Sequence, residues 1–591
     1  MHKKFNYRLI ICIFILHTLI CIYLLTPLIV IRSEFIKRSS LNKFIDINEL
    51  INMYKHPFIS FNTIINNLDI RNDFVIVFLL FTSGISLFVF LYRNMDSEEK
   101  GINHLRNNGT QGTANWMKNS EIKKVLTIGG GEGLVFGSIK EGFGNKMVIL
   151  PKDTFFNKNI AVFGASGSMK SRSFVRPNIM QISELNQSMV ITDPKGEIFE
   201  SMSEFLRDMG YTVKVFNLVN MRNSDRWNPL GEITDEISAQ SFAETVIANT
   251  RTLGSRQDDF WEKTEMNLLK ALVLYVVKEN PKEERNLSAV YSMLSLRDTA
   301  SIDNLFRTLS SSHEAKMPYN IYSQASENVK SGVIIGLGSK LQVFQNKLVC
   351  ELSAESDIDL TLPKKEKCAY FCITSDMEST FDFIAGLFFS FLFIKLVKYA
   401  DYTPKEAQKE VYFILDEFPN IGAIPDFTKK ISTMRSRGIS SLIIFQNIAQ
   451  LQNRYPNNGW SEIIGNCDSR LFLGATDMIT SEFVSKLLGT ATVNDRSFSK
   501  SAGFKGIMDF GKITDKSIKR NLMNPDELLR LPNENEILIL RGQKPIMLQK
   551  MDYTKHRLSK FLRSIKVSDH IPEWPHKLKD NNRSNEKCEF W

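Results

Sequence analysis

The sequence predicts an α/β protein: a doubly wound parallel sheet, interrupted by an all-helical insertion and preceded by two apolar helices. Three observations carry this prediction. Seven short apolar runs of buried-strand length alternate with helix-length stretches, a pattern that requires right-handed crossovers between parallel strands. From about Glu232 to Gln345 the apolar periodicity is helical throughout. Near the N-terminus, two long runs are almost free of charge.

Taken in order, the first apolar run extends from Leu9 to Ile31, broken mainly by His17 and Pro27, and is long enough to cross a bilayer as a helix. Lys3, Lys4 and Arg8 precede it as they would a signal peptide, but it exceeds the usual apolar core of one and lacks a clear small-residue cleavage site. The second run, Phe74 to Tyr92, sits between Asp73 and Arg93. Together they predict a two-helix membrane anchor over residues 1–110, with helices at about 9–31 and 74–92. Basic residues between the runs (Arg32, Lys37, Arg38, Lys43, Lys55, Arg71) are no fewer than those in the near outside flanks, so they do not fix orientation.

The expected parallel strands are Ile160 to Phe163, Ser188 to Thr192, Thr212 to Phe216, Cys368 to Thr374, Val411 to Leu415, Ser440 to Phe445 and Arg470 to Gly474. They divide between residues 111–231 and 351–550, two parts of one α/β domain, around an all-α insertion at 232–350. Within the insertion, amphipathic segments are expected at Trp261 to Val277, Leu287 to Leu296, Ile302 to Leu309 and Ile321 to Phe344. The phenylalanine-rich stretch Phe381 to Val397 is short for a span and carries Asp382 and Lys395, so a buried helix is expected there. Residues 551–591 are mixed in charge and read as a tail.

Composition narrows the class. A chain of 591 residues needs more than one module, and 43% hydrophobic and 24% charged residues with 18 prolines exclude a disordered or collagen-like chain. Seven cysteines without a Cys-x-x-Cys pair and eight histidines without a ligand cluster indicate neither a disulfide framework nor a zinc site. The net charge of +9 suits DNA or anionic lipid and decides between neither.

The chemistry starts at Gly164-Ala165-Ser166-Gly167-Ser168-Met169-Lys170-Ser171, between a strand and a helical stretch. This is the context of a phosphate-binding P-loop, whose inward N–H groups and helix N-terminus hold phosphates, with Lys170 as point charge and Ser171 on Mg²⁺. Met169 stands where that motif has its last glycine, and a side chain there would crowd the phosphates or oblige the loop to adjust. A second constellation, Asp416-Glu417 at the end of Val411 to Leu415, supplies one carboxylate for the Mg²⁺ shell and one to orient or deprotonate a water. Gln446, after the next strand, is placed to sense the γ-phosphate. Arg435, or less favourably Arg437, is an arginine-finger candidate for a neighbouring subunit's site, against the plainer alternative of solvated arginines at a helix end. Lys429, Lys430, Lys512, Lys516, Lys519 and Arg520 are candidate DNA contacts, weighed against an ordinary solvated surface.

The order of these motifs resembles the TraG-type coupling ATPases of type IV secretion and conjugation. The resemblance rests on Gly112-Thr113-Ala114-Asn115-Trp116, the P-loop, Thr192-Asp193-Pro194-Lys195-Gly196-Glu197, Leu415-Asp416-Glu417-Phe418-Pro419-Asn420 and Arg435-Ser436-Arg437-Gly438. Phe260-Trp261, Cys467-Asp468 through Leu473-Gly474, and Leu488-Gly489-Thr490-Ala491-Thr492 extend it, so that it covers about Gly112 to Ile546. It implies a RecA-like P-loop NTPase domain with an all-α domain, anchored in the cell membrane as a multi-pass protein with a cytoplasmic ATPase, and working as a homohexamer. It further implies ATP and Mg²⁺ as cofactors, and as partners a relaxase with its single-stranded DNA and the components of a secretion channel. The isoleucine-, asparagine- and lysine-rich composition points to an element of the Gram-positive type.

Residue by residue, the resemblance assigns phosphate binding to Gly164, Gly167, Lys170 and Ser171, Mg²⁺ to Asp416 with Ser171, water polarisation to Glu417, and the sensor and finger positions to Gln446 and Arg435. For Asp193, Lys195 and Glu197 a site role and a salt-bridged turn stay open. Two competing functions remain: a nucleotide-gated receptor that recruits substrate without pumping, if Met169 cripples turnover, and a septal-type double-stranded DNA translocase. The Thr192 to Glu197 segment and the helical insertion speak against the latter.

Overall fold

The computed structural model describes residues 7–39, 46–95, 111–142, 144–250, 259–295, 298–375, 378, 380–499, 512–572 and 574. The chain divides into two units, Met1–Asn103 and His104–Trp591.

In the first unit both apolar runs are helical. Tyr7–Ser39 and Leu68–Met95 enclose them, joined through the shorter helices Ile47–Lys55 and Pro57–Asn66. Asp46 starts the second helix by accepting the N–H of Asn48. Ile29, Val30, Ile64 and Ile70 form a small core, while Leu24, Leu28, Leu79, Leu80 and Phe81 stay exposed along the long helices.

The second unit is organised by a twelve-stranded sheet. Its strands in chain order are β1 (Thr127–Ile128), β2 (Gly133–Glu141), β3 (Gly144–Pro151), β4 (Ile160–Gly164), β5 (Ser188–Thr192), β6 (Thr212–Asn217), β7 (Cys368–Ile373), β8 (Val411–Leu415), β9 (Ile439–Phe445) and β10 (Ser469–Gly474). After β11 (Thr490–Ser499) and β12 (Lys512–Asn521), which pair as a separate antiparallel ribbon, come β13 (Asn535–Leu540) and β14 (Ile546–Gln549). The spatial order is β1-β3-β2-β14-β13-β10-β4-β9-β8-β5-β7-β6. The run from β10 to β6 is parallel throughout and contains all seven expected strands. β4, β5, β7 and β8 are buried at every residue because helices cover both faces, which is why they read as continuous apolar runs.

Alternate residues feed two cores. Ala161, Phe163, Val411 and Phe413 face the helical insertion and the phenylalanine-rich helix Asp382–Tyr402. Ile160, Val162, Tyr412 and Ile414 face the helices Arg176–Glu184 and Glu197–Asp208. Among the described residues, Asp382–Tyr402 is the one helix that passes a length-and-hydropathy test for a span, and it is 67% buried. Phe393 stacks on Phe413 at 4.1 Å between ring centroids, so this helix belongs to the core, as its Asp382 and Lys395 foretold.

Between β6 and β7 the described residues form no strand. Helices run over Glu236–Asn249, Asp259–Glu279, Leu287–Ser295, Thr299–Thr308, Lys316–Ser323, Glu327–Lys340 and Lys347–Leu352. The single segment expected from Ile321 to Phe344 is broken, because the extended Ser326 (ψ 155°) opens a new helix at Glu327.

Two further regions depart from the sequence reading. The antiparallel flank β13-β14-β2-β3-β1 was not foreseen: Gly133 and Gly137 interrupt β2, and β13 buries an acid, Glu536. Residues 551–572, expected as a tail, form a strap packed within the second unit. Arg563 pairs with Asp208, Ile565 donates its N–H to the Glu200 carbonyl (3.0 Å), and Asn223 donates to the carbonyls of Ser568 (2.9 Å) and His570 (2.7 Å). Trp574, 4% exposed, donates its indole N–H to the Ser224 carbonyl at 2.7 Å.

Candidate active site

The P-loop leaves the carboxyl end of β4 and enters a helix that begins with one wide turn, Ser171–Val175, before the α-helix Arg176–Glu184. Pro177 explains the wide turn: it has no N–H for the regular ladder, and the Arg176 N–H reaches back to the Ser171 carbonyl instead. Gly167 (φ 77°) and Met169 (φ 67°) both lie in the left-handed region. Met169 thus takes the backbone conformation a glycine would take, at a cost of about 1–2 kcal/mol for an L-residue. Among the described residues, the N–H groups of Ser166, Gly167, Met169 and Lys170 have no protein acceptor. The Ser168 hydroxyl is buried and also unpartnered. Unsatisfied donors at a helix entrance fit an anionic ligand.

Across a cleft of about 580 Å³ stand the other predicted residues. Lys170 Nζ donates to the Gly164 carbonyl (2.9 Å) and pairs with Glu417 Oε1 at 3.1 Å. Gln446 Nε2 holds that same Oε1 at 3.1 Å. The Ser171 hydroxyl donates to Asp416 Oδ2 at 3.3 Å. β8 delivers the two acids and β9 the glutamine, so the strand order β4-β9-β8 brings three separated sequence motifs to one sheet end. Glu417 has a left-handed backbone (φ 49°), which turns its side chain off the strand line.

Burial raises the Asp416 carboxyl to about 6, with Glu417 adding to the shift and Lys170 opposing it. Asp193 is raised to about 7, again chiefly by burial and partly by Asp416. The buried Asp416 carboxyl with the Ser171 hydroxyl bonded to it is a donor pair that suits a hard divalent cation. Asp193 also accepts the Phe199 N–H at 2.7 Å and so fastens the start of helix Glu197–Asp208. Lys195 and Glu197 are exposed in the cleft wall with no ion pair among the described residues, so the turn is held by backbone bonds and not by a salt bridge.

Sequence reasoning brought together Gly164 to Ser171, Asp416, Glu417 and Gln446; it did not bring in Arg172, Arg176, Asn420 and Gln450, which line the same cleft. Arg176 is visible only as a basic residue one turn past the P-loop; its guanidinium lies 5.0 Å over the Tyr553 ring. Arg435 lies elsewhere. It precedes β9, at the opposite end of the strands from Gln446, and its guanidinium donates to the Phe155 carbonyl at 2.7 Å. It cannot reach the cleft of its own chain. Arg437 is engaged by Asp401 (2.7 Å). Of the basic DNA candidates, Lys429 pairs with Asp426 (2.9 Å), Lys430 bonds the Pro425 carbonyl and Arg520 pairs with Glu527 (2.5 Å), whereas Lys516 and Lys519 are exposed on β12. Lys512 lies at the start of β12.

A family model described as Type IV secretory system conjugative DNA transfer matches residues 115–581. Protein VirD4 of Rhizobium radiobacter is 24% identical over 415 residues, covering 68% of this chain and 58% of its own. Conjugal transfer protein TraG of Escherichia coli is 22% identical over 401 residues, covering 64% of this chain and 62% of its own. The chain therefore spans about three fifths of the length of these curated relatives. Among solved structures, plasmid coupling protein TrwB in complex with the non-hydrolysable ATP analogue ADPNP aligns with a TM-score of 0.56 at 17% identity, over 77% of this chain and 96% of that one. TrwB in complex with ADP and Mg²⁺ aligns at 0.55 and 17%, over 74% and 94%. At such identities the likeness is one of fold: an α/β architecture around a large, mostly parallel sheet.

Proposed function

Because the chain belongs to the type IV secretory system conjugative DNA transfer family, we propose that it is a coupling ATPase that uses ATP and Mg²⁺ to pass relaxase-bound single-stranded DNA to a secretion channel. The observation that carries this reading is the convergence of Lys170, Ser171, Asp416, Glu417 and Gln446 on one cleft. The two N-terminal apolar helices support membrane anchoring, with the site on the cytoplasmic side where ATP is. Two TrwB complexes, one with ADPNP and one with ADP and Mg²⁺, support the nucleotide and the metal.

A bound Mg²⁺–nucleotide supplies the phosphoanhydride bond and the divalent charge that neutralises its oxygens. This chain's residues do the rest. The free N–H groups of Gly167 and Met169 form the anion cradle. Ser171 and Asp416 would hold the metal, whose divalent charge would favour the ionised Asp416 carboxylate. Lys170 exchanges the Gly164 carbonyl and Glu417 for phosphate oxygens, and Glu417, released from that pair but still held by Gln446, accepts a proton from the attacking water. Arg435, remote from its own cleft, completes the site of a neighbouring protomer in a homohexamer.

The test is ATP turnover by the full chain in lipid nanodiscs, with and without single-stranded DNA, beside Glu417→Gln. DNA-stimulated turnover abolished in that variant supports the motor. Tight nucleotide binding without turnover in an assembled, DNA-bound sample replaces the motor with a nucleotide-gated receptor.

A further inference from the structure

We propose that Lys550 is a positioning residue of the nucleotide site, bracing from behind the P-loop peptide that lets Met169 stand where a glycine is expected. The inference rests on the nucleotide-binding reading above and extends it to a residue outside the cleft wall. Lys550 follows β14, is 8% exposed, and donates from Nζ to the Ser168 carbonyl at 2.8 Å and to Asn533 Oδ1 at 3.0 Å. Its own N–H is fixed to the Glu534 carbonyl at 2.8 Å, so the side chain starts from an anchored backbone.

The geometry gives the contact its meaning. In a trans peptide the C=O and N–H point in opposite directions. With the Ser168 carbonyl held toward Lys550, the Met169 N–H faces away from the lysine, and among the described residues it has no protein acceptor. The peptide on the other side of Met169 is held as well: the Met169 carbonyl accepts the Ser173 N–H at 2.7 Å and the Ser173 hydroxyl at 2.9 Å. Both torsions of a left-handed, non-glycine residue are therefore set by its neighbours, which is the condition for such a conformation to persist. A glycine at this position would adopt the same φ without strain and would need no brace.

This predicts coupling between two residues that do not share a motif. Affinity for a fluorescent ATP analogue in the presence of Mg²⁺ is measured on the full chain as wild type, Lys550→Met, Met169→Gly and the double variant. In the wild-type background, Lys550→Met is expected to weaken binding at least about tenfold; in the Met169→Gly background the loss shrinks to less than about threefold. Lys550→Arg, which keeps a charged donor, is expected to stay close to wild type. Equal losses in both backgrounds, or no loss at all, overturn the inference while leaving nucleotide binding intact. A wild-type chain that does not bind the analogue overturns the nucleotide reading itself. Should Lys550→Met fail to fold, recovery of binding in the double variant supports the brace, and its absence overturns it.

Discussion

The two ends of the same parallel strands are built to opposite rules. At the amino ends of β8 and β9 the charges of Lys364, Arg437 and Lys158 are closed off by protein. Lys364, 1% exposed, donates to the carbonyls of Lys409 (3.1 Å), Arg437 and Gly438 (3.1 Å), Arg437 is paired with Asp401, and Lys158 with Glu410 (2.7 Å). At the carboxyl ends the accounts are left open: two buried acids are raised toward neutrality, and among the described residues a buried hydroxyl and several P-loop N–H groups have no partner. A closed polar network stabilises a loop; an open one stores an unmet demand that a ligand of the right charge can satisfy.

The contrast can be broken at four points, from the largest effect to the smallest. If Arg435 serves a neighbour, Arg435→Ala lowers turnover of the assembled protein by about 10³-fold while leaving nucleotide affinity of the separate chain unchanged. A parallel fall in affinity would place Arg435 at its own chain's site and erase the distinction between the two ends. Second, Asp193 has a folded-state carboxyl raised to about 7 from an ordinary value of 3.8. Its contribution to stability is full below about pH 4 and is lost as the pH rises through about 7. Asp193→Asn keeps an acceptor for the Phe199 N–H and is expected to flatten this dependence, with a gain of about 4 kcal/mol at pH 8, read from denaturant titrations across the range.

Third, Lys170→Ala removes the only cation paired with Glu417 in the described site and should weaken nucleotide binding about tenfold to hundredfold, as measured by calorimetry. Binding left intact would mean that the backbone cradle alone holds the phosphates. Fourth, Arg437→Ala breaks a half-exposed ion pair at the closed end and should cost roughly 1 kcal/mol or less, visible as a slightly lower melting temperature with nucleotide affinity unchanged.

What the sequence disclosed, and what it hid, follows the same physics. Buried parallel strands announce themselves as unbroken apolar runs, so all seven central strands and the strand-end motifs at Lys170, Asp416, Glu417 and Gln446 were legible. β2 and β13 were not, because they solve a local packing problem together. Gly137 has no Cβ since Glu536 fills its place, where a Cβ would sit 1.8 Å from Oε1, and an acid inside a strand reads as a loop. Asp193 was recognisable as special, but its bond to the Phe199 N–H depends on the turn that Gly196 (φ 76°) makes possible, with Val567 of the strap pressed against that glycine. Arg176 lies over Tyr553, far away in the chain, and no local pattern encodes such a partner.

The distance between the P-loop and its brace also sets a clock. Ser168 and Lys550 are separated by 382 residues, and Arg172 and its partner Asp552 by 380. A ribosome adding about 5–20 residues per second takes roughly 20–80 s to travel from one to the other. Throughout that interval the nascent chain carries its phosphate-binding loop without the lysine that fixes it. The site reaches its final geometry only once the last strands are made, so a chain still being translated does not meet nucleotide with a finished P-loop.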